Sequence, residues 1–88
     1  MSPFHFMPFT VYIIYSKKLD KYYIGYSDDF VVRLIQHNEG VSTFTSKAKD
    51  WILKYTEDFP SREAAHKREL EIKNKKSRKY IERLIDSK

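Results

Sequence analysis

The first part of the chain alternates between short apolar segments and polar loops. Residues 9–16 form a near-continuous run of aromatic and mostly β-branched side chains, which is typical of a strand covered on both faces. Residues 22–26 repeat this composition after a loop of hairpin length. The pattern therefore predicts two strands that pair antiparallel.

Helical spacing follows the second strand. Apolar residues recur one turn apart between positions 30 and 35, which predicts a first helix over residues 29–38. Ser27, Asp28 and Asp29 are suitable residues for its N-terminal cap and first turn, and Gly40 lies where a left-handed residue would end it. The polar residues 41–50 predict a loop or a short helix.

The second half of the chain predicts one more strand and two helices. Residues 51–56 have strand composition, and Pro60 marks the end of that segment. Ser61 can cap a helix that runs to about residue 74, and Ser77 can open a last helix. The apolar stripe of this last helix consists of Tyr80, Ile81, Leu84 and Ile85. The order β-β-α-β-α-α predicts an α+β fold, with helices flanking a small three-stranded antiparallel sheet.

The length of 88 residues limits the chain to one domain with a modest core. We expect a leader over residues 1–8 and a single domain over residues 9–88. The leader is apolar, but it has no basic segment and is too short for a signal peptide or a membrane span. The sequence therefore predicts no membrane association.

The charge of the chain favours an anionic partner. Seventeen lysine and arginine residues against 12 acidic residues give a net charge of +5. A cationic segment near the C terminus predicts contacts with a phosphate backbone through Lys73, Lys75, Lys76, Arg78 and Lys79. The chain has no cysteine, so it lacks disulfides and thiolate ligands, which fits a cytoplasmic location.

Four short motifs stand in order along these predicted elements. Thr10-Val11-Tyr12 lies in the first strand, Tyr23-Ile24-Gly25 in the second, and Arg33, His37 and Gly40 belong to one motif of the first helix. The fourth motif is Arg68-Glu69-Leu70-Glu71-Ile72-Lys73. Together they resemble the GIY-YIG nucleases over about residues 10–85. They are most similar to the small stand-alone branch related to the nuclease domain of excision-repair endonucleases.

This resemblance implies a magnesium-dependent endonuclease that hydrolyses phosphodiester bonds in nucleic acid, with DNA as the expected substrate and 5′-phosphate and 3′-hydroxyl ends as products. Its catalytic residues would be Tyr12, Tyr23, Arg33, His37 and Glu69. Glu69 would hold Mg²⁺ (or Mn²⁺), and Tyr12 would be the general base, assisted by Tyr23 and His37. Two departures from the family pattern stand out: Thr10 replaces a glycine, and residues 27–29 hold no counterpart of a lysine that some members carry.

The chemistry of phosphodiester hydrolysis fits these residue types. Arg33 offers a planar, permanently charged fork for phosphate oxygens, and His37 lies one turn further on the same helix face. Glu69 is expected to be a carboxylate with few competing groups nearby, which suits a cation that keeps most of its water ligands. Glu63 and Glu71 are the rival carboxylates. Because a free phenol has a pKa of about 10, Tyr12 must either have a lowered pKa or act as a hydrogen-bond relay.

Other functions remain as alternatives. The chain could be a non-catalytic nucleic-acid-binding module that retains the GIY-YIG fold, or a protein-interaction domain. The complete set of five site residues favours the enzyme. With no second domain to read sequence, selective cutting would need a homodimer or a partner protein. The remaining aromatic residues, including Trp51 and Tyr55, are interpreted as packing residues.

Overall fold

The element order of the structure follows the predicted one. The computed structural model describes residues 8–41 and 45–87. Its elements are β1 (Phe9–Ser16), β2 (Lys21–Ser27), α1 (Phe30–Asn38), a 3₁₀ turn (Thr45–Lys47), β3 (Ile52–Phe59), α2 (Arg62–Lys75) and α3 (Arg78–Asp86). The α+β class and the three-stranded antiparallel sheet are thereby confirmed. Apart from Pro8, the predicted leader over residues 1–8 lies outside the described residues.

β1 is the central strand of the sheet. The strand order is β2-β1-β3, and both neighbours pair antiparallel to β1. Because successive side chains of a strand point to opposite faces, β1 contributes to two separate cores. Val11 and Ile13 lie in one of them, and Tyr12 and Ile14 lie in the other. The prediction that this strand is covered on both faces is confirmed.

The first core is closed by α2 and α3. Val11 and Ile13 pack with Ala65 and Ile72 of α2 and with Tyr55 of β3. The predicted stripe of α3 is half-buried against this core, through Tyr80, Ile81, Leu84 and Ile85. Both C-terminal helices therefore cover the same face of the sheet.

The second core lies on the other face and is closed by α1 and the segment that precedes β3. Tyr12 and Ile14 pack with Ala48 and Trp51, and Phe30 and Leu34 of α1 are packed against them. Trp51 is 2% exposed, which confirms it as a core residue.

The helix ends are capped at residues that the sequence indicates, and of the three candidates before α1 the cap is Asp29. The side chains of Asp29, Ser61 and Ser77 each accept a hydrogen bond from a backbone N–H in the first turn of the helix that follows. Gly40 has φ +82°, the left-handed conformation that favours glycine after a helix.

β3 extends beyond residues 51–56, which have strand composition, and ends at the predicted stop before Pro60. It continues to Phe59, which pairs with Phe9 of β1. Acidic residues are poor strand formers, but here Asp58 accepts a hydrogen bond of 2.8 Å from the Thr10 hydroxyl. Pairing to the central strand thus overrides the local preference. The same contact gives Thr10, which replaces the family glycine, a structural role.

The side chain of Asn38 joins the end of α1 to the start of β3. Its amide donates to the Trp51 carbonyl at 2.9 Å, and its carbonyl accepts from the Trp51 backbone N–H at 2.7 Å. The indole N–H of Trp51 donates to the backbone carbonyl of Thr45 at 2.9 Å. These three bonds fix residues 45–51 against α1.

No helix within the described ranges is at once long and apolar enough to cross a membrane.

We expect Asn38→Ala to lower the free energy of unfolding by about 1–3 kcal/mol, because it removes both hydrogen bonds to the partly buried Trp51 backbone. Urea titration of the wild type and the variant measures this loss. Asn74→Ala is the matched control, since Asn74 is exposed near the end of α2. Equal stability of the two variants would contradict the proposed role of the Asn38 side chain in joining α1 to β3.

Candidate active site

The phenol of Tyr12 packs directly on Gly25 of the neighbouring strand. The two residues are partners in the β1–β2 ladder. A Cβ atom at position 25 would lie 2.6 Å from the Tyr12 hydroxyl oxygen and 2.7 Å from Cζ, closer than real side chains approach. Only glycine leaves room for the ring here. The glycine of the Tyr-Ile-Gly motif therefore seats the tyrosine of the first motif.

A chain of buried hydrogen bonds starts at the Tyr12 hydroxyl. Tyr12 Oη lies 2.9 Å from His37 Nε2, and His37 Nδ1 lies 2.6 Å from Thr45 Oγ1. Tyr12 is 2% exposed, and His37 and Thr45 are fully buried. Three polar side chains from three separate segments are thus held in one line beneath the surface.

Tyr23 and Arg33 flank this line. The Tyr23 ring meets the His37 ring edge-on, with centroids 5.0 Å apart and an interplanar angle of 61°. Arg33 is half-buried, and its Nη1 donates to Gln36 Oε1 at 2.7 Å. Its charge acts on both Tyr12 and His37. The structure therefore brings together four of the five residues that the sequence analysis names.

Glu69 approaches the same region from α2. It shares the buried stripe of this helix with Ala65 and Ile72 and is 8% exposed. Lys73 Nζ lies 3.1 Å from Glu69 Oε2 and 5.9 Å from the centroid of the Tyr23 ring. The negative charge of Glu69 also raises the pKa of Tyr12, as the smallest of several causes.

The expected isolation of Glu69 is wrong. One turn of α2 separates it from Lys73, so the two side chains meet on one helix face and form an ion pair. His66 Nε2 lies 3.9 Å from the other carboxylate oxygen. A cation that binds Glu69 must therefore compete with the Lys73 ammonium.

Burial moves the pKa values of Tyr12 and His37 in opposite directions. Removal from water raises the pKa of Tyr12 to about 12, against the opposing effect of Arg33. Burial, together with the Arg33 charge, lowers the pKa of His37 to about 4. Both groups are therefore uncharged at neutral pH. The protein alone does not provide the lowered Tyr12 pKa that direct base catalysis would require.

The donor set fits a hard cation that keeps most of its water. Within residues 8–41 and 45–87, no cluster of three or more histidine, aspartate or glutamate side chains could enclose a metal ion. Mg²⁺ needs no such cage, because one or two protein oxygens together with water and phosphate oxygens complete its shell. Glu69 could supply that oxygen. The rival Glu71 is exposed and lies 3.2 Å from Arg68, and Glu63 is exposed in the first turn of α2.

The cations predicted to contact phosphate have different surroundings. Arg78 binds Asp20 through Nη1 and Nη2 and Glu82 through Nε, so it links α3 to the β1–β2 loop. Lys75 lies over the Tyr80 ring, 5.3 Å from its centroid. Lys76 and Lys79 are exposed. The last two, at the junction of α2 and α3, are therefore the best placed of the five for a phosphate backbone.

A cavity of about 330 Å³ opens between β2 and the junction of α2 and α3. Its cationic lining residues are Lys21, Lys73, Lys76 and Arg78, and its walls include Tyr22, Ile24, Ile72 and Ile81. Lys21 is not predicted from the sequence, since a lysine in a polar loop carries no signal of the cavity that it lines.

Thr45 is the other residue that the sequence did not reveal. It lies in a polar segment whose contact with His37 arises only from the tertiary fold. Residues 27–29, where some family members carry a lysine, stabilise the start of α1 instead. Ser27 Oγ accepts from the Asp29 N–H at 3.0 Å, and Asp29 caps the helix.

Comparison with curated proteins and with solved structures finds no match. The family model of the GIY-YIG catalytic domain matches residues 8–81. This span covers most of the chain and includes the strand pair that seats Tyr12, the whole of α1 and the whole of α2. On the strength of this match, the chain belongs to the GIY-YIG family.

Proposed function

We propose that the protein is a magnesium-dependent endonuclease that hydrolyses phosphodiester bonds in DNA. The observation that carries this proposal is the buried hydrogen-bonded line from Tyr12 to His37, with Arg33 beside it and Glu69 acting on it from α2. Buried groups with shifted pKa values next to a permanent cation are characteristic of catalytic sites.

A non-catalytic nucleic-acid-binding module is the main alternative. Affinity for nucleic acid arises from exposed cations. Binding alone needs no buried histidine, and it needs no carboxylate near the bound phosphates. The imidazole of His37 and the hydroxyl of Thr45 are buried and hydrogen-bonded to each other, which offsets the cost of their burial but gives the core no clear gain in stability over apolar side chains. An apolar core would serve a binding module equally well, so these groups favour catalysis.

In the proposed reaction, Arg33 holds the scissile phosphate. Its guanidinium is permanently charged and can donate to two phosphate oxygens at once, which neutralises charge that develops during attack. To do so, Nη1 exchanges its bond to Gln36 for one to the substrate. The phosphate is then placed next to the Tyr12 hydroxyl.

Tyr12 then acts on the attacking water. As a neutral phenol it can only orient the water, because it has no free lone pair basic enough to remove a proton. As a phenolate it accepts the proton of the water while the water oxygen bonds to phosphorus. The 3′ oxygen leaves with the electron pair of its bond to phosphorus and takes a proton from solvent water, which gives the 3′-hydroxyl. The pKa of about 12 makes this form scarce in the free protein, so cleavage should accelerate as pH rises.

Glu69 is the proposed ligand of Mg²⁺, with Mn²⁺ as a substitute. When bound, the metal would supply positive charge to polarise the phosphate and to stabilise the departing oxygen. Lys73 would be released from its ion pair with Glu69 and could then contact the phosphate backbone or Tyr23.

Substrate binding should be governed by charge rather than by base sequence. Lys76, Lys79 and the cationic cavity that includes Lys21 suit contacts with successive phosphates, which position a strand without reading it. Selective cutting would therefore require a homodimer or a partner protein. A role in DNA repair belongs to the same proposal and rests on the resemblance to the nuclease domain of excision-repair endonucleases. The proposed cytoplasmic location rests on the lack of cysteine in the sequence.

Replacing the proposed metal ligand tests the proposal. We expect Glu69→Gln to reduce magnesium-dependent cleavage by about two orders of magnitude or more, because the variant loses the anionic oxygen. Glu71→Gln is the matched control two residues away, and it should retain activity. Cleavage of a labelled duplex and thermal melts of all three proteins provide the comparison. Equal activity of the two folded variants would assign the metal to a different residue.

A second test concerns the phenol. Tyr12→Phe should lower the cleavage rate by about 10²- to 10⁴-fold, the range typical of a lost general base, while DNA affinity is unchanged. Tyr15→Phe controls for loss of a hydroxyl in the same strand, since that group donates to Asp20 away from the site. Single-turnover rates and binding titrations separate the two effects. A fully active Tyr12→Phe protein would exclude the hydroxyl from the chemistry.

The buried, neutral state of His37 predicts a pH-dependent stability. Its pKa of about 4 lies below the usual 6.5, so the unfolded chain takes up a proton first as pH falls. The stability present above about pH 6.5 is lost towards pH 4, and the loss amounts to about 3 kcal/mol. Urea titrations across this range should show a weaker pH dependence for His37→Gln. Identical pH dependence of the two proteins would mean that His37 is not buried in a neutral form.

A further inference from the structure

The cavity between β2 and the junction of α2 and α3 combines an apolar wall with a cationic rim. Its volume is about 330 Å³, and the greater part of its lining is apolar. Ile24 and Ile72 are buried residues of the first core, and Ile81 of α3 is half-buried beside them. The volume lies at the lower end of the range for small-molecule pockets, about 300–1,000 Å³. The cavity can therefore take a ligand the size of one nucleotide, but it is too small for a base pair.

The acidic side chains near the cavity are offset by cations that line it. Arg78 binds the carboxylate of Asp20 at 2.6 Å and that of Glu82 at 3.2 Å. Lys73 pairs with Glu69 at 3.1 Å. Each of these three carboxylates is therefore paired, and none presents an uncompensated negative charge to an anion in the cavity.

Lys21 and Lys76 are the two cations that remain. Both line the cavity and are exposed, and neither forms an ion pair within residues 8–41 and 45–87. Lys76 has φ 49° and ψ 40°, a left-handed conformation in which glycine is favoured after a helix. A lysine here strains the backbone, and what the position gains is an ammonium group at the cavity. The two lysines give the rim the charge that a phosphate group requires.

Lys73 joins the cavity to the candidate active site. It lines the cavity, its ammonium lies 3.1 Å from the carboxylate of Glu69, and it lies 5.9 Å from the centroid of the Tyr23 ring. The cavity is therefore adjacent to the proposed metal ligand. A DNA strand that passes Glu69 can reach the cavity with a neighbouring nucleotide.

We propose that this cavity binds one unpaired nucleotide of the DNA substrate, with its base against Ile24, Ile72 and Ile81 and its phosphate between Lys21 and Lys76. A base inside a duplex is stacked and paired, so it cannot enter without being unpaired first. Contact with the face of a base does not depend strongly on which base it is. This assignment rests on the proposed function for the identity of the ligand as DNA, and it adds that the preferred substrate has an unpaired nucleotide next to the cut.

Binding measured in excess chelator tests the proposal without any cleavage. One probe is a labelled duplex with three unpaired thymidines in one strand, and the other is the same duplex with three abasic units in their place. The two probes carry the same number of phosphates, so they differ only in the unpaired bases. We expect the thymidine probe to bind at least about fivefold more tightly at the same salt concentration. Equal affinity for the two probes would overturn the proposal.

Methyl NMR locates the bound base. The signals of Ile24, Ile72 and Ile81 should shift when the thymidine probe is added and should shift less with the abasic probe. Ile35 of α1 and Ile52 of β3 are exposed outside the cavity, and their signals should not respond to the unpaired bases. Base-dependent shifts at these two reference residues, with none at the cavity, would overturn the proposal.

The phosphate contact is tested with Lys76→Gln. We expect this variant to bind the thymidine probe about fivefold more weakly, because it loses a cation at the phosphate. Lys75→Gln is the matched control, since it removes the same charge one residue earlier and Lys75 lines a separate cavity with Arg68 and Tyr80. Thermal melts establish that both variants are folded. Equal affinity of the two folded variants would overturn the assignment of the phosphate to Lys76.

Cleavage assays keep the cavity assignment separate from the proposed function. A protein that prefers the thymidine probe but leaves plasmid intact in Mg²⁺ would retain the cavity as a nucleotide site and lose the proposed nuclease activity. A protein that nicks plasmid but binds the two probes equally would lose the cavity assignment alone.

Discussion

Burial of β1 on both faces is the constraint on which the rest of the structure depends. Alternation along this one strand sends Val11 and Ile13 into the core beneath α2 and α3, and it sends Tyr12 and Ile14 into the core beneath α1. A shift of one residue in the strand register would exchange the two sets. The position of the Tyr12 phenol is therefore set by the same packing that holds the helices on the sheet.

The site itself is a row of hydrogen-bonded polar side chains at the second core. Tyr12, His37 and Thr45 are hydrogen-bonded in sequence, and no buried side-chain polar atom in the described residues lacks a partner. Such a network is stable because each member is satisfied, and it is rigid because each member is buried. Gly25 completes the arrangement by leaving space for the Tyr12 ring. The cost of this burial is a high pKa for Tyr12, which the positive charge of Arg33 offsets only in part.

The sequence predicts most of the fold because its signals are local. Apolar runs define the strands, and single capping residues such as Asp29, Ser61 and Ser77 define the helix starts. Residues 57–59 lie between the predicted strand residues and the predicted stop at Pro60, and they join β3 because pairing with β1 stabilises an acidic segment that has low strand preference of its own. Local patterns carry no information about partners far apart in the chain.

The same limit applies to the site. Family motifs name Tyr12 and His37, and the structure adds that they touch. They do not reveal Thr45, which reaches His37 only after the chain folds back before β3. The family motifs also do not indicate that Glu69 pairs with Lys73, although the i, i+4 spacing of the two residues predicts such a pair. A charged residue on a helix is best interpreted together with its neighbours one turn away.

We propose above all that this small GIY-YIG domain cleaves DNA by itself with a divalent metal. Incubation of purified protein with supercoiled plasmid, in Mg²⁺ and then in excess chelator, tests this most directly. We expect nicked plasmid in Mg²⁺ that DNA ligase reseals, because the proposed ends are 5′-phosphate and 3′-hydroxyl, and we expect intact plasmid in chelator. Plasmid that is bound but stays supercoiled in Mg²⁺ would contradict the account and favour the binding module.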